Sequence, residues 1–201
     1  MKYGQWLIVI SVMAGLAGCT SPRVRYHTLV SPDAVTTPIS PANFVIEVLP
    51  VGVPAQLDTQ QVVIRQSDSR VAVLDNDRWL SPLGDELQTA LSSRMTQRLN
   101  TVDVAGLARD NSQPVVRILV QIRRFDSWPG KAISLDANWS LSTIAGDKRR
   151  RLVCKSQLSQ KISTDSTQMF SAWQTLMDRM ANQVAQTATA WMTTQANCRQ
   201  P

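Results

Sequence analysis

Residues 133–142 alternate without exception: Ile133, Leu135, Ala137, Trp139 and Leu141 are apolar, while Ser134, Asp136, Asn138, Ser140 and Ser142 are polar. A period of two marks a β-strand with one face in a core and one in water. Such a strand constrains the whole chain, because its apolar face needs a second layer to cover it. The sequence supplies two covers. Leu83, Leu87, Leu91 and Met95, with Ala90 and Leu99 beside them, recur at three and four residues and predict a helix over about 82–99. Met169, Trp173, Leu176, Met177, Met180, Val184, Ala188 and Trp191 repeat the pattern after Ser163, Thr164 and Asp165, which can cap a second long helix.

The remaining strands are shorter or less regular. Residues 44–51 read as a strand ended by Pro50, Gly52 and Pro54. Residues 61–66 and 70–75 flank Ser67, Asp68 and Ser69 as a hairpin closed by Asn76 and Asp77. Ser81 is placed to cap the first helix with Pro82 at its first position, and Asp85 and Glu86 fall in its positive first turn. Gly84 within that helix hints at close packing. A short strand near 101–105 is followed by Val116, Ile118, Val120 and Ile122, where Val115 and Leu119 suggest burial on both faces. Turns at 128–131 and 145–148 join this strand to the alternating one and then to a third through Leu152, Cys154, Leu158 and Ile162. The sum is an α+β, two-layer fold: a mostly antiparallel sheet of six or seven strands with two long helices on one face.

The N-terminus has a different character. Lys2 precedes an apolar run over 6–16 and the small residues Ala17 and Gly18, the three-part pattern of an export signal. As a helix the run reaches only ~16 Å, about half a bilayer core, too short to span one. Leu16, Ala17, Gly18 and Cys19 resemble the lipobox of bacterial lipoproteins. The resemblance implies a thiolate at Cys19 alkylated with diacylglycerol, cleavage before it, and acylation of the new amine; the alternative is an ordinary signal peptide with a chance cysteine. Two or three acyl chains make a lasting anchor where one holds only reversibly. In lipoproteins of this kind an Asp after the Cys favours inner-membrane retention, so Thr20 points to the outer membrane. The domain reading is 1–18 signal peptide, 19–43 lipidated N-terminus with a Pro-rich tether, and 44–201 a single α+β domain. The stretch 20–43 holds four prolines and, fully extended, would reach roughly 80 Å. Its one apolar island, Tyr26 to Val30, is expected to dock as an edge strand and shorten that reach.

The chemistry of the chain points away from catalysis. His27 is the sole histidine and lies in the tether, poorly placed as a base for a nucleophile. No Gly-x-Ser-x-Gly elbow, phosphate-cradling glycine loop or metal-spaced His or Cys pair occurs. Asp85 and Glu86 are explained by helix electrostatics, Asp68 and Asp126 by turns. We therefore expect no enzyme, no metal and no cofactor beyond the acyl groups on Cys19. With Cys19 modified, Cys154 and Cys198 remain, and in an oxidising compartment they form a candidate disulfide; the alternative is a buried free Cys154 with a loose Cys198 near the chain end. The chain is net +6. The run Lys148, Arg149, Arg150 and Arg151, with Arg123 and Arg124, reads as a solvated, edge-protecting turn, or as a patch for anionic lipid or an acidic partner surface; nucleic acid is no partner outside the cytoplasm. Among the tryptophans, Trp139 and Trp173 lie on core faces, whereas Trp128 at a turn is the candidate for exposure and partner contact.

The order of these features resembles one family, the PqiC-type auxiliary lipoproteins that accompany MCE-protein lipid transport systems in Gram-negative bacteria. The resemblance rests on the lipobox Cys19, the Tyr26-His27-Thr28-Leu29 cluster, the Val51-to-Pro54 turn, the hairpin, the Trp79-x-Ser81-Pro82-Leu83 helix start and the terminal helix near Asp165. A second tyrosine is common in the family where this chain has His27. The family implies an outer-membrane lipoprotein facing the periplasm, without catalytic activity, that supports envelope integrity by docking an MCE-domain partner. Tyr26, Leu29 and Trp128 are its candidate contacts, and a homo-oligomer is conceivable for a protein capping a tube. The rival readings are an assembly or secretion lipoprotein of another envelope machine, and a periplasmic domain that itself carries lipid.

Overall fold

In the computed structural model, residues 22–32, 40–108, 113–145, 148–194 and 197–198 are described; the stretch expected to be a signal peptide and Cys19 lie outside them. The alternation over 133–142 becomes strand β6, Ala132–Ala145, with Ile133, Leu135, Ala137, Trp139 and Leu141 all buried. Its neighbours are β5, Val115–Trp128, and β7, Lys148–Lys161, both antiparallel to it. Strand β2, Val45–Val48, completes this sheet in the order β2-β5-β6-β7 and runs parallel to β5. A second sheet has the order β1-β4-β3, built from β1, Arg25–His27, β3, Gln61–Arg65, and β4, Val71–Trp79. Here β3 and β4 are antiparallel and β1 lies parallel to β4.

The fold is α+β with seven strands among the described residues, divided between two mixed sheets rather than gathered in one mostly antiparallel sheet. Each sheet holds one parallel pair, for topological reasons. Between β2 and β5 the chain makes the β3–β4 hairpin and a helix, so it returns to β2 through a crossover, which gives parallel strands. The N-terminal segment comes in from the turn end of the hairpin, where β4 also begins, and so runs beside β4 in the same direction.

Helix α1, Leu83–Leu99, and helix α2, Ser166–Thr194, place every apolar residue of their stripes in the core. The α1 N-cap position is Pro82, without a side-chain cap, and Ser81 instead bonds to Glu86. Asp165 caps α2 by accepting from the Thr167 amide at 2.9 Å. Asn100 closes α1 in the left-handed region at φ 45°. A Cβ on Gly84 would lie 3.1 Å from the Val51 carbonyl oxygen and 3.2 Å from Asp58 Oδ1, so the close packing expected at that glycine is present.

Three local expectations change. Strand β5 buries one face only, since Leu119 is 40% exposed and its neighbours in the strand alternate. Strand β4 continues through Asn76 and Asp77 to Trp79 because it has a partner on each side. The stretch near 101–105 forms a single bridge, Ile46 to Asp103, not a strand.

Polar side chains tie the layers together. Trp139 Nε1 donates to Ser156 Oγ at 2.8 Å, and Ser156 Oγ donates to Gln183 Oε1 at 2.7 Å, a buried chain from β6 through β7 to α2. Trp173 donates to Ser127 Oγ at 2.9 Å while its ring stacks on Phe125 at 3.6 Å. Arg94 and Arg98 of α1 converge on Asp178 of α2 at 2.8 and 2.6 Å. Cys154 and Cys198 are joined by a disulfide with Cα atoms 5.6 Å apart, which fixes the C-terminal residues to β7.

Candidate functional site: the seat of the N-terminal segment

Strand β1 lies inside the stretch expected to be a tether, and the body grips it with two carboxylates. Asp77 on β4 sits opposite Arg25 in the β1–β4 register. Arg25 Nε and Nη2 donate to its two oxygens at 2.9 and 2.8 Å, the forked geometry that suits a guanidinium and a carboxylate. His27 Nε2 lies 2.7 Å from Asp77 Oδ1. Burial alone would raise the Asp77 carboxyl, but the hydrogen bonds of Arg25 and His27, with their charges, outweigh it and hold it below the usual carboxylate value. The other face of the His27 interaction is aromatic. Its ring stacks on Phe170 of α2 with centroids 3.4 Å apart, and Trp79 meets Phe170 edge-on.

Two residues further on, Glu86 takes over. It is buried in the first turn of α1. Its Oε2 accepts from Thr28 Oγ1 at 2.8 Å and from the Leu29 amide at 2.9 Å, and its Oε1 accepts from Ser81 Oγ at 2.9 Å and the Ser81 amide at 3.2 Å. A carboxylate at a helix N-terminus with four donors is well stabilised. From α2, Gln174 Nε2 donates to the carbonyls of Thr28 and Val30 at 3.0 and 3.3 Å. Leu80 donates its amide to His27 O at 2.8 Å. The segment is thus held by β4, α1 and α2 together. With Leu29 fully buried at its centre, it belongs to the core rather than to a linker.

The seat defines one pole of the molecule. Going backwards from Arg25, the chain heads towards the β3–β4 turn. Arg65, next to that turn, pairs with Asp126 of β5 at 3.0 Å, and Arg65 and Asp68 share a cleft of about 280 Å³ with Trp128 and Lys131 of the β5–β6 turn. The opposite pole holds the β6–β7 turn and the C-terminal end of α2, where Arg150 donates to the Trp191 carbonyl at 3.2 Å.

The candidate contact residues fare differently. Tyr26 is 61% exposed beside the seat. Trp128 is half-buried, with Lys131 Nζ 3.4 Å above its ring. Leu29 is 0% exposed, so it packs the core and offers no surface to a partner. Cys19 lies outside the described residues. Asp77 and Glu86 were missed as site residues. A signal existed at Asp77: Val71, Val73, Asp75, Asp77 and Trp79 share one face of β4, and a carboxylate next to a buried Trp on an alternating strand calls for a cation. No group of His, Cys, Asp and Glu that could hold a metal occurs among the described residues, and no described helix is long and apolar enough to cross a membrane.

Residues 27–185 match the family described as the ABC-type transport auxiliary lipoprotein component, a span that begins at the seat and ends within α2. The chain belongs to that family. Among its relatives, the intermembrane transport lipoproteins PqiC of Escherichia coli (strain K12) and of Shigella flexneri are each 28% identical over 119 residues, 58% of this chain and 63% of theirs. The match therefore spans less than two thirds of those relatives. Two crystal structures share the fold. One is of an uncharacterized protein, with TM-score 0.61 and 19% identity over 83% of this chain and 99% of that one. The other is of a DUF330 protein from Xanthomonas campestris, with TM-score 0.56 and 15% identity over 87% and 98%.

Proposed function

We propose that this protein is an outer-membrane lipoprotein facing the periplasm, anchored by acyl chains on Cys19, that docks an MCE-domain partner of an intermembrane lipid transport system and carries out no catalysis itself. The observation that carries this reading is the seat. Only five residues separate Cys19 from Arg25, at most about 20 Å of chain, and Arg25 to Val30 are fastened into the body. An anchor joined to the body this closely sets orientation as well as location, with the seat towards the leaflet and the β6–β7 turn away from it. Since β6 is 14 residues long, that places the far pole roughly 45 Å from the membrane, the geometry of a connector. Names of the curated relatives, intermembrane transport lipoproteins, support the transport role. His27, the sole histidine, has its nitrogen on Asp77 and its ring face on Phe170, an arrangement that holds a strand rather than activates a nucleophile.

The test is co-purification of the mature, lipidated protein with an MCE-domain protein from solubilised membranes of the same cells. Recovery with wild-type protein, and loss of outer-membrane sedimentation for Cys19→Ser, are expected. Recovery of another envelope machine without the MCE protein would favour the rival assembly reading.

A further inference from the structure

The outer face of the four-stranded sheet, away from the helices, is not uniformly solvated. Register places Arg117, Ser142 and Arg151 in one row across β5, β6 and β7, then Leu119, Ser140 and Val153, then Gln121, Asn138 and Lys155, with Ile144 opposite Arg149 at the end of the β6–β7 hairpin. Ile144 and Val153 are 66% and 65% exposed and Leu119 is 40% exposed, so three aliphatic side chains stand in water among cations. Arg117 pairs with Glu47. Among the described residues no carboxylate pairs with Arg149, Arg151 or Lys155, all of them exposed.

Charge is distributed unevenly along this face. Near the seat of the N-terminal segment it is partly neutralised, with Arg65 on Asp126 and Arg124 on Asp136, each at 3.0 Å, while Lys131 and Lys161 are exposed there. At the other end Arg151 and Arg149 lie about 25–35 Å beyond the Asp126 row along the strands, with Lys155 about halfway. In the far half the exposed cations stand among the exposed aliphatic side chains Ile144 and Val153. The edge of β7 is also partly taken, because Cys198 Sγ lies 3.1 Å from the Val153 carbonyl oxygen, so a visitor meets the face of the sheet rather than adding a strand to its edge.

We infer that the far half of this outer face, around Arg149, Arg151 and Lys155 with Ile144, Val153 and Leu119, is the docking surface for an acidic, partly apolar segment of the protein partner. Charge complementarity steers and orients such a contact, and the aliphatic residues supply the buried centre that charges alone do not. The inference names the surface used in the docking role proposed above and rests on that reading.

The experiment measures the binding of detergent-solubilised, lipidated protein to the purified MCE-domain protein at 50 and 300 mM salt. The triple variant R149E/R151E/K155E is compared with wild type, with the neutral R149Q/R151Q/K155Q variant, and with Arg70→Glu near the seat as a control. Thermal midpoints within a few degrees of wild type establish that the variants fold. At least tenfold weaker binding by the reversed variant at low salt, an intermediate loss for the neutral one, no loss for Arg70→Glu, and wild-type affinity that falls with salt are expected. Equal affinity of the triple variants and wild type overturns the inference. Loss of binding to phosphatidylglycerol vesicles by the reversed variant with unchanged affinity for the MCE protein also overturns it, in favour of a lipid surface. Should wild type fail to bind the MCE protein at all, the functional reading fails; a glutamate-rich peptide then decides the inference by itself, tenfold weaker binding by the reversed variant upholding it and equal binding overturning it.

Discussion

Arg25 and Asp77 face one another across the parallel β1–β4 pair, with Nη2 2.8 Å from Oδ2 and Nε 2.9 Å from Oδ1. Because Arg25 follows Cys19 by six residues, this pair is where the pull of a membrane anchor would enter the fold. Replacing Asp77 by Asn keeps the shape and removes the charge, and is expected to lower stability by about 1–2 kcal/mol without unfolding the body, whose core lies mostly elsewhere.

The same residue gives a pH dependence with a definite sign. The folded Asp77 carboxyl titrates below its ordinary value, so the unfolded chain takes up its proton first as pH falls. Its contribution is therefore fully present above the unfolded value near ~4 and is lost as pH drops through the lowered folded value. Urea midpoints measured from pH 6 down to 2.5 should fall less steeply for Asp77→Asn than for wild type; parallel curves would deny the pairing in solution.

Glu86 should behave as the second fastening. Glu86→Ala removes the acceptor of four hydrogen bonds, leaves the Leu29 amide without its partner in a buried site, and should cost roughly 2–4 kcal/mol. Hydrogen exchange read by mass spectrometry should show the peptide covering 28–30 gaining deuterium faster, while peptides from β6 keep their protection.

The disulfide closes a loop with a sequence separation of 44 residues. In the chain-entropy model that is worth about 4 kcal/mol. A Cys154→Ser, Cys198→Ser double variant, or wild type held in reductant, should unfold at a clearly lower denaturant concentration, and the double variant should show no further response to reductant.

Ser156 relays between Trp139 and Gln183. Ser156→Ala leaves the Trp139 indole N–H buried without an acceptor, a loss of about 1–3 kcal/mol. Ser156→Thr, which keeps the hydroxyl, should lose less in the same denaturant titration.

Much of this architecture was legible in the sequence because it is local. The alternation from Ile133 to Leu141 and the stripes of α1 and α2 are periodic signals, and all of those residues are buried. The Tyr26-to-Val30 island was read as a docking edge strand, and β1 pairs with β4 there. What the sequence hid depends on partners distant along the chain. Leu119 looked like a core residue because nothing local says that the outer face of β5 stays open. Leu29 belongs to the cluster that the family resemblance offers as contacts, yet Glu86, 57 residues away, holds its amide and its side chain is buried. The division into two sheets follows from the crossover through α1 and from the direction in which the N-terminal segment approaches β4, neither of which leaves a periodic trace.

The central claim is that acyl chains on Cys19 hold a body whose N-terminal strand is built into it. The measurement that bears on it most directly is the mass of the N-terminal peptide of the mature protein isolated from outer membranes. A peptide starting at Cys19 and heavier by a diacylglyceryl group and an amide-linked acyl chain is the expected result; a peptide with an unmodified Cys19 thiol, or one starting elsewhere, would contradict it.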